Sequence, residues 1–109
     1  MDTTIQIKPL SVNKAWQGKR YKTNIYKSYE WALEGHLPKK IDIPEGKLFI
    51  KLTFGFTSAG SDWDNPIKPF VDILQKKYNF DDNRIYGGLV LKEITKNPFI
   101  QFEILPFTP

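Results

Sequence analysis

The sequence predicts a single α+β domain, a largely antiparallel β-sheet of about four strands with two helices packed on one face. Three observations carry this. The stretch Leu48–Phe56 alternates apolar and polar side chains, the two-residue period of a strand with one buried face. A stretch beginning at Pro66 instead repeats its apolar residues at helical spacing. The chain has 109 residues, 40% hydrophobic and 15% aromatic, which is material for one core and not for two.

Each element follows from its own chemistry. Thr4-Ile5-Gln6-Ile7-Lys8 alternates and ends at Pro9, so it reads as a first strand. Residues 9–23 have turn and loop chemistry, with Gly18 near the middle. Tyr26, Tyr29, Trp31 and Leu33 fall in a helix expected to stop at Gly35. His36–Lys40 and Pro44–Gly46 connect it to the strand Leu48–Phe56, whose buried side is Leu48, Ile50, Leu52, Phe54 and Phe56. After a turn region at Gly60–Asp64, a second helix is expected from Pro66 to about Lys77. Ile67, Phe70 or Val71, Leu74 and Tyr78 lie on its inner face, and Lys68, Asp72, Gln75 and Lys76 on its outer face. Ile85–Lys92 and Phe99–Leu105 are two further strands joined by the turn Thr95–Pro98, and Pro106–Pro109 is a short tail.

Composition excludes several chemistries. There is no cysteine, so disulfides, thiolate catalysis and cysteine zinc sites are out. With His36 as the one histidine, a two-histidine metal site is excluded and a serine triad would have to use that residue. No run approaches the ~20 apolar residues that cross a bilayer, and Met1-Asp2-Thr3-Thr4 lacks the basic-then-apolar start of a signal peptide, so a cytoplasmic location is expected.

The net charge of +4 is unevenly distributed. Residues 1–60 hold ten Lys/Arg against five acids, and residues 61–109 hold six against seven. From Lys8 to Lys27 there are six cations and no acid, interleaved with Trp16, Tyr21 and Tyr26. Cations beside aromatic faces suit a phosphate backbone with exposed bases, so Lys14, Lys19, Arg20, Lys22 and Lys27 are candidate DNA-binding residues. A solvated basic loop with ordinary core aromatics is the alternative.

The acids concentrate in Ser61–Asn83, which holds Asp62, Asp64, Asp72, Asp81 and Asp82. Like charges at ~4 Å near a protein surface repel by a few kcal/mol, so such crowding asks for a counter-charge. Asp62 and Asp64 are two apart at a strand-to-helix junction, where Asp64 or Asn65 can cap the helix and Pro66 suits its first position. A chain returning from the helix could bring Asp81 or Asp82 back to the same point. Lys68, one turn on, could lean back over the aspartates, although Pro69 after it disfavours helical geometry there. Carboxylates around one lysine fit a hard cation such as Mg²⁺, with Mn²⁺ as the alternative, and phosphodiester chemistry. The competing reading is structural: a helix cap, a Lys68–Asp72 surface pair and a polar turn at Asp81-Asp82-Asn83.

The ordered pattern resembles that of the RusA-type Holliday junction resolvases. It reads Asp62-Trp63-Asp64-Asn65-Pro66-Ile67-Lys68, then Asp72-Ile73-Leu74, then Phe80-Asp81-Asp82, after an opening Pro9-Leu10-Ser11-Val12-Asn13-Lys14. The likeness spans nearly all of residues 1–109 as one RusA-like endonuclease domain. It implies that Asp62, Asp64 and Asp82 bind metal, that Lys68 is the essential cation, that Asp81 is a further candidate ligand, and that Asn13 of the opening motif joins the candidate DNA-binding residues. It also implies a homodimer that cuts branched DNA, four-way junctions above all, in a bacterial or phage-infected cell. A non-catalytic module binding branched or single-stranded nucleic acid is the alternative function.

Overall fold

The computed structural model describes residues 2–10, 16–17 and 21–108. Among them, a four-stranded sheet carries two helices on one face. The strands are β1 (Thr3–Ile5), β4 (Leu48–Phe56), β5 (Ile85–Ile94) and β6 (Phe99–Pro106), in the order β1-β6-β4-β5. A separate antiparallel ladder joins β2 (Trp16–Gln17) to β3 (Tyr21–Lys22) within the stretch expected to be loop. The helices are α1 (Asn24–His36) and α2 (Ile67–Tyr78). No helix among the described residues is long and apolar enough to cross a membrane.

The mixed direction of the sheet comes from its connections. The turn at Thr95–Pro98 makes β5 and β6 sequential, yet they do not pair with each other: β6 lies antiparallel to β4 and to β1. β5 lies parallel to β4, with Leu48 opposite Ile85 and Phe56 opposite Ile94. Parallel pairing requires the chain to return to its starting end, and α2 is that return. Two of the three pairings are antiparallel, as expected; the parallel one was not foreseen.

Burial follows the alternation in β4. Leu48, Ile50, Leu52, Phe54 and Phe56 are all buried, the last four in the cluster that meets the helices. Against them pack Tyr26, Tyr29 and Leu33 of α1, Phe70, Ile73 and Leu74 of α2, and Ile100 and Phe102 of β6. Phe70 is the hub, meeting Phe54 edge-on at 6.1 Å and Phe102 at 5.5 Å between ring centroids. Such edge-to-face pairs add roughly 1 kcal/mol each beyond the area they bury.

Helix ends differ from expectation in instructive ways. Thr23 caps α1, its hydroxyl accepting from the Tyr26 N–H at 3.1 Å. The helix runs through Gly35 to His36 and stops at Leu37, which is extended because Pro38 follows it. Pro66, not Asp64 or Asn65, is the N-cap of α2, and no side chain caps it. Pro69 is its third residue, where a missing N–H has no helical partner to lose, so the helix starts before it and includes Lys68. The other end closes on Asn79 in the left-handed region, φ 55°. β1 is shorter than read, and Ile7 bends its N–H back to the Ile5 carbonyl at 2.9 Å.

Candidate functional site

The segment between β4 and α2 holds Asp62, Trp63, Asp64 and Asn65, and β5 fixes it from the side. The Trp63 indole N–H donates to the Val90 carbonyl at 2.8 Å. The Lys92 ammonium donates to the Ala59 carbonyl at 2.9 Å and to that of Ser61. Within the segment the Asn65 amide donates to Asp62 Oδ2 at 2.8 Å, and the Asp64 carbonyl accepts the Ile67 N–H at 3.2 Å. Asp62 and Asp64 are both exposed. Asp62 and Asn65 line a shallow crevice with Lys8, Pro9, Phe56 and Gly60, at the end of the sheet where β4 finishes.

Lys68 does not lean back over these aspartates. Its ammonium lies 3.3 Å from Asp72 Oδ2, one turn further along α2. Lysine side chains reach either neighbour at that spacing, and Asp72 offers a carboxylate on the same outer face. Asp72 Oδ1 in turn accepts from Gln75 Nε2 at 3.4 Å, and Gln75 Oε1 accepts the Asp82 N–H at 2.8 Å. A polar chain Lys68–Asp72–Gln75–Asp82 thus runs down the outer face of α2. Gln75, read from sequence only as an outer-face residue, is the link that holds the Asp82 turn.

Asp81 and Asp82 begin the 3₁₀ turn Asp82–Arg84. Asp81 caps it, its carboxylate accepting from the Asn83 N–H at 2.9 Å. Arg84 anchors the turn to the segment before β4 by donating from Nε to the Gly46 carbonyl at 2.9 Å and from its other arm to Pro44.

These anchors decide whether the carboxylates converge. Asp62 sits beside Phe56, the last residue of β4, while Asn83 and Arg84 line a hollow with Gly46 and Lys47, just before its first. Nine residues of strand at about 3.3 Å each separate those ends by about 30 Å. Between them α2 carries the chain through twelve residues, about 18 Å. Asp82 therefore does not return to Asp62 and Asp64 within one chain, contrary to the sequence expectation. Among the described residues no group of three or more His, Asp or Glu side chains is gathered as a metal centre. The donors suit Mg²⁺ in kind, being all oxygen, but one chain does not place them as a single three-carboxylate site.

Of the candidate DNA-binding residues, Asn13, Lys14, Lys19 and Arg20 lie outside the described residues, and Lys22 is described only as part of β3. Lys27 is exposed on α1, and one turn later Trp31 projects with 80% of its surface exposed. Lys76 crosses to Glu30 at 3.4 Å and Lys77 to the Glu34 carbonyl at 3.1 Å, tying the helices together.

No protein-family model matches the chain, and no curated protein matches it in sequence.

Proposed function

We propose that the chain is a metal-dependent, structure-selective endodeoxyribonuclease that resolves four-way DNA junctions, working as a homodimer with Mg²⁺ or Mn²⁺. The observation that carries this reading is the display of the motif. Asp62, Asp64, Lys68 and Asp82 are all exposed and all hang on α2 or the turns at its two ends, with the loop before it pinned to β5 by Trp63 and Lys92.

The residues divide the work by chemistry. Asp62 and Asp64 present oxygen donors on a held loop, and a hard cation there would polarise a phosphodiester. Asn65 orients Asp62 by its amide hydrogen bond. The Lys68–Asp72 pair, with Lys68 exposed and Asp72 half-buried, is worth a few tenths of a kcal/mol, so a phosphate oxygen can take Asp72's place and leave Lys68 to stabilise charge on the scissile group. The excess of cations before residue 60 attracts the DNA backbone.

Two variants test it. Asp64→Asn and Lys68→Ala should each lower nicking of a synthetic four-way junction about 100-fold or more, the scale of losing a group that stabilises transition-state charge. Nicking by Asp64→Asn at the parent rate would sink the assignment.

The separation of Asp82 from Asp62, together with the Asn65 bond to Asp62 and the Asp81 cap, favours a second reading in which the acids are structural and the chain only binds branched or single-stranded nucleic acid. That reading is marked by junction binding that weakens with salt and by no cleavage in any divalent metal.

A further inference from the structure

Trp31 is the most exposed large apolar side chain among the described residues, with 80% of its surface free. The core makes no use of it. α1 buries Tyr26, Tyr29 and Leu33, and Trp31 lies two residues from both Tyr29 and Leu33, which turns it to the opposite side of the helix. An indole left in water forgoes the gain of burying its area, and its ring face stays open to a ligand.

The neighbouring residues leave room on that face. A side chain one turn further along α1 would lean back over Trp31, because helical side chains point toward the N-terminus. That position is Gly35, where a Cβ would meet nothing within 4 Å. Its φ is not positive, so the backbone has no need of glycine there, and alanine would favour the helix. What Gly35 provides is a hollow of about 410 Å³, lined by Trp31, Ala32, Glu34, Gly35 and His36. His36 is held in place by the hydrogen bond from its Nδ1 to the Ala32 carbonyl at 2.8 Å. Two aromatic side chains thus wall an open slot.

Charge selects the occupant. No lysine or arginine lines the hollow, and the Glu34 carboxylate would repel a phosphate, so a planar ring fits and an anion does not. Cations stand outside it: Lys27 one turn before Trp31, and Lys39 and Lys40 beyond the end of the helix, all exposed. An aromatic platform between lysines suits a nucleic-acid strand, with a base on the ring and phosphates on the ammonium groups. Within a duplex each base face is covered by its neighbours, so only an unpaired base can lie flat on Trp31.

We propose that the hollow formed by Trp31, Gly35 and His36 on α1 is a subsite for an unpaired base of a nucleic-acid strand, stacked on the Trp31 indole, while the exposed lysines outside it take phosphates further along the strand. This rests on the nucleic-acid-binding part of the proposed function and not on cleavage. It narrows the substrate to strands that carry an unpaired nucleotide at a branch or an end.

Binding alone tests it, in metal-free buffer. The parent should bind a labelled oligothymidine strand, and should bind an abasic strand of the same length more weakly. Trp31→Ala should weaken oligothymidine binding about tenfold, the scale of losing one stacked base, and leave the abasic strand unaffected. Trp31→Phe, which keeps a stacking face, should retain most of the affinity. Gly35→Leu keeps the indole but fills the hollow; it should weaken oligothymidine binding while urea unfolding shows a fold at least as stable as the parent's. Equal oligothymidine affinity in the parent and Trp31→Ala, or a parent that does not bind that strand, overturns the inference, and nicking of a four-way junction by the same parent would leave the nuclease reading standing. Trp31-dependent binding by a parent that nicks nothing in Mg²⁺ keeps the subsite and defeats the nuclease reading.

Discussion

The side-chain carbonyl of Gln75 accepts the backbone N–H of Asp82 at 2.8 Å, while its amide group reaches Asp72 Oδ1 at 3.4 Å. One helix residue therefore holds the turn that carries the last motif aspartate. Gln75→Leu removes both contacts and should destabilise the protein by about 1 kcal/mol in urea unfolding, with faster amide exchange at Asp82 and Asn83. Gln75→Glu keeps the acceptor for the Asp82 N–H and should retain the slow exchange.

The Trp63–Val90 contact is the equivalent fastening at the other end. Trp63→Phe keeps the ring and loses the indole N–H, at a cost of about 1 kcal/mol. Amide exchange of Asp62–Asn65 should rise while that of β4 stays unchanged. Equal loosening of loop and strand would mean that Trp63 contributes general packing and does not fasten the loop.

Phe70 joins α2 to the sheet through two aromatic contacts. Truncation to Ala leaves a void between Phe54 and Phe102 and should cost about 3 to 5 kcal/mol by equilibrium unfolding. A loss under 1 kcal/mol would contradict the position of α2 on the sheet.

Alkaline pH should destabilise the fold through its buried tyrosines. Burial, then the charges of Glu30 and Asp72, push the Tyr26 hydroxyl up to about 12, and burial raises Tyr29 and Tyr78 as well. Each folded-state value lies above the ordinary tyrosine value of 10.0, so the folded chain holds protons that the unfolded chain releases. The stability that Tyr26 contributes in this way is full below pH 10 and falls as pH climbs toward 12, by at most about 1.4 kcal/mol per pH unit. Tyr26→Phe should flatten that decline, measured as urea midpoint against pH.

Much of the fold was legible because periodicity reports burial directly. The alternation of β4 names its buried face; the helical repeat of α2 names Phe70 and Leu74 correctly, while Ile67, Val71 and Tyr78 lie at the margin of the core and Ile73, not read as inner, is buried with them. Strand order is not written in alternation. Nothing in Ile85–Lys92 says that it will lie parallel to β4 and not against β6, since either neighbour would bury Val90. Gly35 misled as a stop because the neighbour of Pro38, two residues on, is the stronger terminator. At the site, sequence spacing placed the five aspartates together but carries no direction. A twelve-residue helix between them carries the chain back toward the start of β4, and only the parallel return of β5 reveals that. Gln75 and Trp63 had no sequence signal of their own, because a glutamine on an outer face and an aromatic in a turn are ordinary until their partners are known.

The central claim is that this aspartate-rich frame cuts branched DNA. The most direct measurement is incubation of the purified chain with a synthetic four-way junction, with and without Mg²⁺, followed by mapping of the nicks on each strand. Paired symmetric nicks on opposing strands, present with Mg²⁺ and absent with chelator, are the predicted result. Binding of the junction with no nick in Mg²⁺ or Mn²⁺ would contradict it.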